Sequence, residues 1–464
     1  MNRSAILTAL ARLPADADGA SFDPARDYLP VPLHSNLGSR DVWLIVGARG
    51  MGKTTLFRTL TDSRQCIPLV GSLFASSFVQ AVDGWSATGQ HHVPEAKVAS
   101  DPGGFWLAAL LHTLEGVDRN FAKAAGIPLT VKSKTVNQLV EQVRTDRESV
   151  VQRIFEIDER LDQQKARILV AYDALEKLPA WEALVPALLA FWSDLAPRLR
   201  AISPKIFVRE DVRDRLIGRG PDFAKLNGRT LTLVWTPHDL FRLLAFLLAN
   251  SSKETRAWLE QEGGFVFSPP EDGRTSFLPA TLLPEEGGGS QDRLAELLAG
   301  RVMGAGAQKG LTRRWIPKTL ADGRGAVAPR SATWLLRGAA KAALEAPHTE
   351  GALFTPDELR EGMRAAATNR ADELQEERAD VVDLLNRLRN HFVPLGEADL
   401  AFRLFTEEGK VSLKDEEPGV VLAELERLGV VLRRSDGRFD VPDLYRLGFG
   451  IKRKGGTALT ALRR

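Results

Sequence analysis

The stretch DVWLIVGARGMGKTTLFRTL, residues 41–60, decides how the chain is read. Within it, Gly47-Ala48-Arg49-Gly50-Met51-Gly52-Lys53-Thr54 satisfies the spacing G-x-x-x-x-G-K-[ST] at every fixed position. Residues 42–46 are apolar, rich in β-branched side chains and ended by glycine, which predicts a buried parallel strand. From Lys53 the chain turns to helix formers, with Leu56, Phe57 and Leu60 on one face. A strand, a glycine-rich turn and a helix in that order let the backbone curl so that successive N–H groups point at a phosphate. The helix N-terminus adds its partial positive charge. Residues 47–55, closed by Thr55, are therefore the candidate phosphate cradle. Lys53 is placed to reach β- and γ-phosphates and the Thr54 hydroxyl to ligate Mg²⁺, so ATP with Mg²⁺ is the expected cofactor pair.

At 464 residues the chain is long enough for about two to four domains with a sizeable core. Its 44% hydrophobic and 26% charged content is that of an ordinary soluble protein, and a net charge of +2 points to no partner by itself. The single cysteine, Cys66, rules out a disulfide framework or a cysteine zinc site and suits a reducing cytosol. Histidines are scattered, and the one close pair, His91-His92, reads as a loop. The N-terminal AILTALARL reads as an amphipathic helix broken by Arg12, not as a cleavable apolar core. No apolar run approaches the ~18 residues of a membrane span. A soluble cytoplasmic protein without a membrane partner is expected.

Along the chain, residues 13–40 read as a lead-in, 65–70 as the next strand, and 74–101 as a loop-rich insertion carrying Gly84, Gly89 and Pro94. Residues 105–114 read as a helix, and the dense charges with apolar spacing over 131–165 as one or two exposed amphipathic helices. Then Arg167-Ile168-Leu169-Val170-Ala171-Tyr172-Asp173 is an apolar strand ending in an acid. Downstream of a phosphate loop, such an Asp sits at the strand's C-terminal edge and holds Mg²⁺, so Asp173 is the second candidate metal residue. Glu176 is the nearest further acid and the candidate general base; the other reading pairs it with Lys177 or makes it a helix cap. Ile202-Ser203-Pro204-Lys205-Ile206-Phe207-Val208-Arg209 is another strand ended by a long cation, which would reach a phosphate or Glu176, or else pair with Glu210 or Asp211.

Beyond residue 220 the texture is helical. A helix is expected to start at Pro237 with Thr236 as its N-cap, and Trp235 either lies against an adenine ring or, as preferred here, fills the core. Residues 261–290 are loop-like, with Gly287-Gly288-Gly289 as the most open piece, and Pro329-Arg330-Ser331 opens a further helix. Helices follow at 355–369, 375–390 and 420–428, then two β-rich runs over 430–441 joined through Asp436-Gly437, a hairpin signal. Helices followed by a two-stranded wing form a winged helix. From Val430 onward nine basic residues (Arg433, Arg434, Arg438, Arg446, Lys452, Arg453, Lys454, Arg463, Arg464) face three acids (Asp436, Asp440, Asp443), and nine minus three gives +6. That surplus suits DNA backbone contact, while winged helices also serve as protein-docking modules.

Taken together and in order, these motifs resemble the AAA+/STAND group of P-loop ATPases, and among them the archaeal and origin-recognition-type arrangement. The resemblance implies an α/β fold: a parallel sheet of five strands flanked by helices, then a helical lid, then a C-terminal winged helix. On this chain those units map to 1–220, 221–345 and 346–464. It implies ATP held between core and lid, with Arg209 and Arg330 as sensors of the γ-phosphate beside Asp173 and Glu176; an arginine at a helix start is otherwise a solvated side chain, mildly disfavoured there. In the commonest AAA+ form a Glu follows the Asp directly, and here Ala174 stands in that place. Tyr172-Asp173-Ala174-Leu175-Glu176 is also similar to the STAND and KAP-type form with spaced acids, with Ala174 in place of the second Asp. The expected function is an ATP-hydrolysing ATPase coupling nucleotide state to DNA binding or assembly. The alternative is a slowly hydrolysing, nucleotide-gated switch assembling with its own copies or a partner protein. By association with STAND-like ATPases of this size, such a switch would serve bacterial anti-phage defence.

Overall fold

Strands β1 (Leu44–Gly47), β2 (Phe78–Trp85), β3 (Ala166–Tyr172), β4 (Ile202–Arg209) and β5 (Thr230–Thr232) form one sheet in the order β2-β3-β4-β1-β5, parallel throughout. This is the computed structural model of the chain, which describes residues 2–14, 22–62, 64–66, 69, 78–86, 100–124, 134–216, 226–280, 289–304, 310–346, 351–405 and 417–455. Side chains of a strand alternate between its faces, and here both faces are covered. Ile45, Leu169, Ala171 and Phe207 enter one core. Their neighbours Leu44, Val46, Ile168, Val170, Tyr172, Ile206 and Val208 enter the other. That is why these strands read as continuous apolar runs.

Two expectations are corrected here. The second strand lies at Phe78–Trp85, inside the stretch read as loop, and not at 65–70, where the described Cys66 and Leu69 are helical. Gly84, read as a loop glycine, sits where an added Cβ would lie 2.5 Å from Val170 and 2.9 Å from Tyr172; it lets β2 close on β3. The helix expected at 105–114 runs over Pro102–Ala124. The charged segment after it is two helices, Val136–Thr145 and Arg147–Gln163, divided at Asp146, whose side chain accepts from the Ser149 N–H at 3.1 Å. The pair His91-His92 falls outside the described residues.

The core runs past the expected boundary at residue 220, because β5 at Thr230–Thr232 still pairs with β1, and the first lid helix then starts at the expected Pro237. Pro237–Ser251 opens on a reciprocal capping box between Thr236 and Asp239, a cap worth about 1 kcal/mol. The helices Gly289–Ala299, Thr312–Leu320 and Pro329–Glu345 share a single core with the Ile45 face of the sheet. The N-terminal helix Arg3–Ala11 buries Ile6, Leu7 and Leu10 there, and Arg3 donates to the Leu353 carbonyl at 3.0 Å and to Glu358 at 3.3 Å.

The two helices expected at 355–369 and 375–390 are in fact one long helix, Pro356–Glu377, and a short one, Ala379–Arg387, with the break at Arg378. The long helix contributes Leu359, Met363, Ala366 and Ala367 to the lid core and Leu374 to the C-terminal core, so it serves both units. After it the winged helix is complete: Ala379–Arg387, an edge strand Phe392–Val393, Glu397–Phe405, Pro418–Arg427 and the antiparallel wing Leu432–Arg433 with Phe439–Asp440. The turn between the wing strands places Gly437 at φ +83°, the left-handed region that Asp-Gly turns need. The winged-helix unit is docked on both lid and core: Gly323 of the lid donates its N–H to the Gly429 carbonyl at 2.7 Å, and Arg427 pairs with Asp214 of the core, while Arg324 of the lid meets Glu210 of the core at 2.9 Å. No helix among the described residues is long and apolar enough to cross a membrane.

The lead-in is pinned under the lid by a buried histidine. His34 accepts or donates at 2.9 Å with the Tyr28 hydroxyl, stacks on its ring and meets Trp235 edge-on. Burial pulls its pKa down to about 3. The unfolded chain therefore takes up a proton below about pH 6.5 that the folded one does not, and stability is lost as pH falls from there. Urea midpoints at pH 7 and pH 5 should fall for the parent chain, and fall less for His34→Gln; equal losses would remove His34 as the cause.

Candidate nucleotide site

The sheet order carries three ends to one place. Gly47, the last residue of β1, is the register partner of Arg209, the last of β4, and β3 lies on the other side of β4. The loop 47–54, Asp173 and Arg209 therefore meet at the C-terminal edge of the sheet, where parallel α/β sheets hold their ligands. Within the loop Gly50 and Gly52 take φ of +77° and +92°, and Gly52 caps the helix Lys53–Thr61, so the second fixed glycine of the motif and the intervening Gly50 are both needed for backbone shape.

Lys53 folds its ammonium into this loop, donating to the carbonyls of Gly47 at 2.7 Å and Ala48 at 3.0 Å. Burial lowers its pKa to about 8, against the pull of Asp173 and Glu176. Asp173 is 5% exposed, and its N–H continues the β2 pairing by donating to the Trp85 carbonyl at 3.0 Å. Burial pushes its carboxyl up to about 6, while a hydrogen bond from the Thr54 side chain and the Lys53 charge pull it down. Thr54 and Asp173, predicted separately from motifs more than a hundred residues apart, are thus in direct contact.

After Asp173 the chain turns sharply. Ala174 is left-handed at φ +54°, and a short 3-10 turn, Leu175–Lys177, presents Glu176. The Glu176 carboxylate lies 4.0 Å from Arg209, not on the neighbouring lysine as one reading had it. Arg209 itself grips Asp211 with Nε and a terminal nitrogen, both at 3.0 Å, and reaches Glu377 at 3.9 Å. Of the partners the sequence offered Arg209, the structure shows the pairing with Asp211 and the approach to Glu176. Trp235 is buried, donates to the Met51 carbonyl at 3.3 Å and supports the loop from below.

The lid helix Pro329–Glu345 starts directly over the loop. A Cβ on Gly50 would lie 3.3 Å from the Cβ atoms of both Ala328 and Arg330. Arg330 is engaged there by Glu373 at 2.6 Å, and Arg49 of the loop by Glu376 at 2.6 Å. Sequence reasoning missed Glu373, Glu376 and Glu377. Their signal was an acidic set recurring at three and four residues near the end of a helix, which reads equally as a solvated face.

The described C-terminal arginines are spent locally. Arg434 meets Asp440 at 2.6 Å, Arg438 meets Asp436 at 2.6 Å, Arg446 meets Asp443 at 2.8 Å, and Arg453 meets Asp443 at 2.6 Å. Arg433 lies 3.4 Å from Glu397. Arg463 and Arg464 fall outside the described residues.

No family model and no curated protein matches the chain. Among solved structures it is similar to the ORC2 protein of Aeropyrum pernix in ADPNP-ADP complexes, with TM-score 0.42 and 16% identity over 92% of this chain and 90% of that one. It is also similar to the Aeropyrum pernix ORC1 protein in complex with DNA, at TM-score 0.29 and 17% identity over 96% and 91% of the two chains. A third is CDC6P from Pyrobaculum aerophilum, at TM-score 0.32 and 12% identity over 93% and 94%.

Proposed function

We propose that the chain binds ATP with Mg²⁺ at the loop 47–54 and hydrolyses it, using the nucleotide to govern how its C-terminal winged helix is engaged. The observation that carries this is the contact of Thr54 with Asp173 beside a lysine folded into a left-handed glycine loop. The donor set fits the pair. A hydroxyl and a carboxylate are the hard oxygen ligands that Mg²⁺ takes, and burial leaves that carboxylate short of cationic compensation. The loop amides and Lys53 would hold the phosphates, Thr54 and Asp173 the metal. Bound Mg²⁺ would neutralise charge on the β- and γ-oxygens. Glu176 would orient and deprotonate the attacking water, and Arg209 and Arg330 would report the γ-phosphate to the lid.

A second reading, a slow switch whose output is assembly with its own copies or a partner, is favoured by two observations. Ala174 leaves no acid directly after Asp173, and Glu176 is tied beside Arg209. The local pairing of the wing arginines also removes much of the charge a DNA backbone would use, although the surplus of +6 over 430–464 still supports a DNA role. Steady-state ATP hydrolysis with and without double-stranded DNA, beside Glu176→Gln, separates the two. Turnover lost in Glu176→Gln with ATP binding retained, and raised by DNA in the parent, is the expected result. Slow turnover indifferent to DNA would favour the switch, and normal turnover in Glu176→Gln would move the base elsewhere.

A further inference from the structure

Three arginines surround the loop 47–54 from three different elements: Arg49 from the loop itself, Arg209 from the end of β4 and Arg330 from the start of the lid helix. Two are held by carboxylates of one helix, and the third, gripped by Asp211 at 3.0 Å, lies near a carboxylate of that same helix. Glu376 takes Arg49 at 2.6 Å, Glu373 takes Arg330 at 2.6 Å, and Glu377 lies 3.9 Å from Arg209. The helix is Pro356–Glu377, and these acids occupy its last turns, one residue before the chain enters the winged helix at Arg378. Arg370, one turn earlier, bridges Glu373 at 3.0 Å and Glu377 at 3.3 Å and donates to the buried Tyr445 hydroxyl of the winged helix at 3.1 Å. The side chains of Glu373 and Glu377 are 6% and 9% exposed, so these contacts are little screened, whereas Glu376 is 65% exposed.

We propose that Glu373, Glu376 and Glu377 form an electrostatic latch that occupies the arginines a γ-phosphate would draw, so that ATP and the docked end of this helix compete for the same cations. This rests on the nucleotide reading given above. The physical reason is charge. A triphosphate brought beside three carboxylates is repelled by them, and each arginine gives its donors either to a carboxylate or to a phosphate oxygen. Binding then costs the latch, and the helix end and the winged helix attached to it are released. ADP, lacking the γ-phosphate, presents less charge to Arg209 and Arg330 and opens the latch less. Coupling of this kind is reciprocal: whatever frees the helix end must tighten ATP by the same factor.

The test uses the full chain and the fluorescent analogues mant-ATP and mant-ADP with Mg²⁺, titrated against the parent, Lys53→Ala, Glu376→Gln, and Glu373→Gln combined with Glu377→Gln. The double variant should bind mant-ATP about tenfold more tightly, within the usual range of coupling between sites, with mant-ADP changed less than about twofold. Glu376→Gln, exposed and safe for folding, should gain about twofold for mant-ATP alone. Hydrogen exchange over residues 370–377 of the parent should rise with ATP and not with ADP. Parent binding of ATP with no gain in either variant, or equal gains for both nucleotides, would overturn the latch and leave the nucleotide site standing. Should the double variant fail to fold, protection of 370–377 that stays unchanged at saturating ATP would overturn it equally. A parent chain that binds neither analogue would instead remove the nucleotide reading, and the latch with it.

Discussion

Lys53→Ala should abolish measurable ATP binding while leaving the fold in place. The ammonium sits within the loop on two backbone carbonyls, and with a pKa of about 8 it is still mostly charged at neutral pH. Two charge-assisted hydrogen bonds to phosphate contribute about 1.5–3 kcal/mol each, so their removal weakens binding by about a thousandfold. Loss of the lysine also leaves Asp173 and Glu176 facing the incoming phosphates with less compensation, which acts in the same direction. The fold should survive, because the loop shape is fixed by Gly50, Gly52 and the Trp235 contact to Met51 and not by the lysine. Titration with mant-ATP gives the affinity, and the urea midpoint checks the fold. Unchanged affinity in a folded variant would sink the assignment of the loop.

How much of this was legible in the sequence depended on whether a signal was local. The phosphate loop, the strands ending at Tyr172 and Arg209, the helix starts at Pro237 and Pro329 and the Asp436-Gly437 hairpin are each fixed by residues within a few positions of one another, and each stands where it was expected. β2 was missed because Gly84 carries the same letter whether it opens a loop or lets a strand close on a tyrosine; only the partner strand decides. The long helix Pro356–Glu377 was divided because its polar stretch from Thr368 to Glu373 lacks an apolar period. It is held there instead by Arg370 reaching forward to Glu373 and Glu377, and by burial of Glu373 against Arg330. The same cause hid the acids that grip the site. An Arg–Glu pair separated by 43 residues, or by more than three hundred as with Arg49 and Glu376, leaves no mark on a single sequence. The chemistry that binds was therefore readable, and the chemistry that restrains it was not.

Gly362→Ala tests that restraint from a distance, and its effect should be large. The long helix crosses the lid helix Pro329–Glu345 where two glycines face each other: a Cβ on Gly362 would lie 2.2 Å from the Leu335 carbonyl oxygen and 2.9 Å from the Ala339 nitrogen, and one on Gly338 2.9 Å from the Gly362 Cα. These neighbours are backbone, so no rotamer change relieves the contact; one helix must move. Alanine favours a helix over glycine by about 1 kcal/mol, yet overpacking of a tight interface costs about 1–3 kcal/mol and more where backbone is struck. The clash should win, with a net loss of about 2 kcal/mol or more in unfolding free energy, read as a lowered urea midpoint. Gly419→Ala is the matching control. It lies in the helix Pro418–Arg427 with nothing within 4 Å of its added Cβ, and should be neutral or stabilising by up to about 1 kcal/mol. A Gly362→Ala chain as stable as the parent would mean that the two helices lie further apart than described. If the loss occurs, the displaced helix carries Glu373 and Glu377 with it, and ATP should bind this variant more tightly than the parent although neither residue has been touched. Gain of affinity together with loss of stability is what a latch under the control of helix packing must show, whereas a structural role for the glycine alone would lower both.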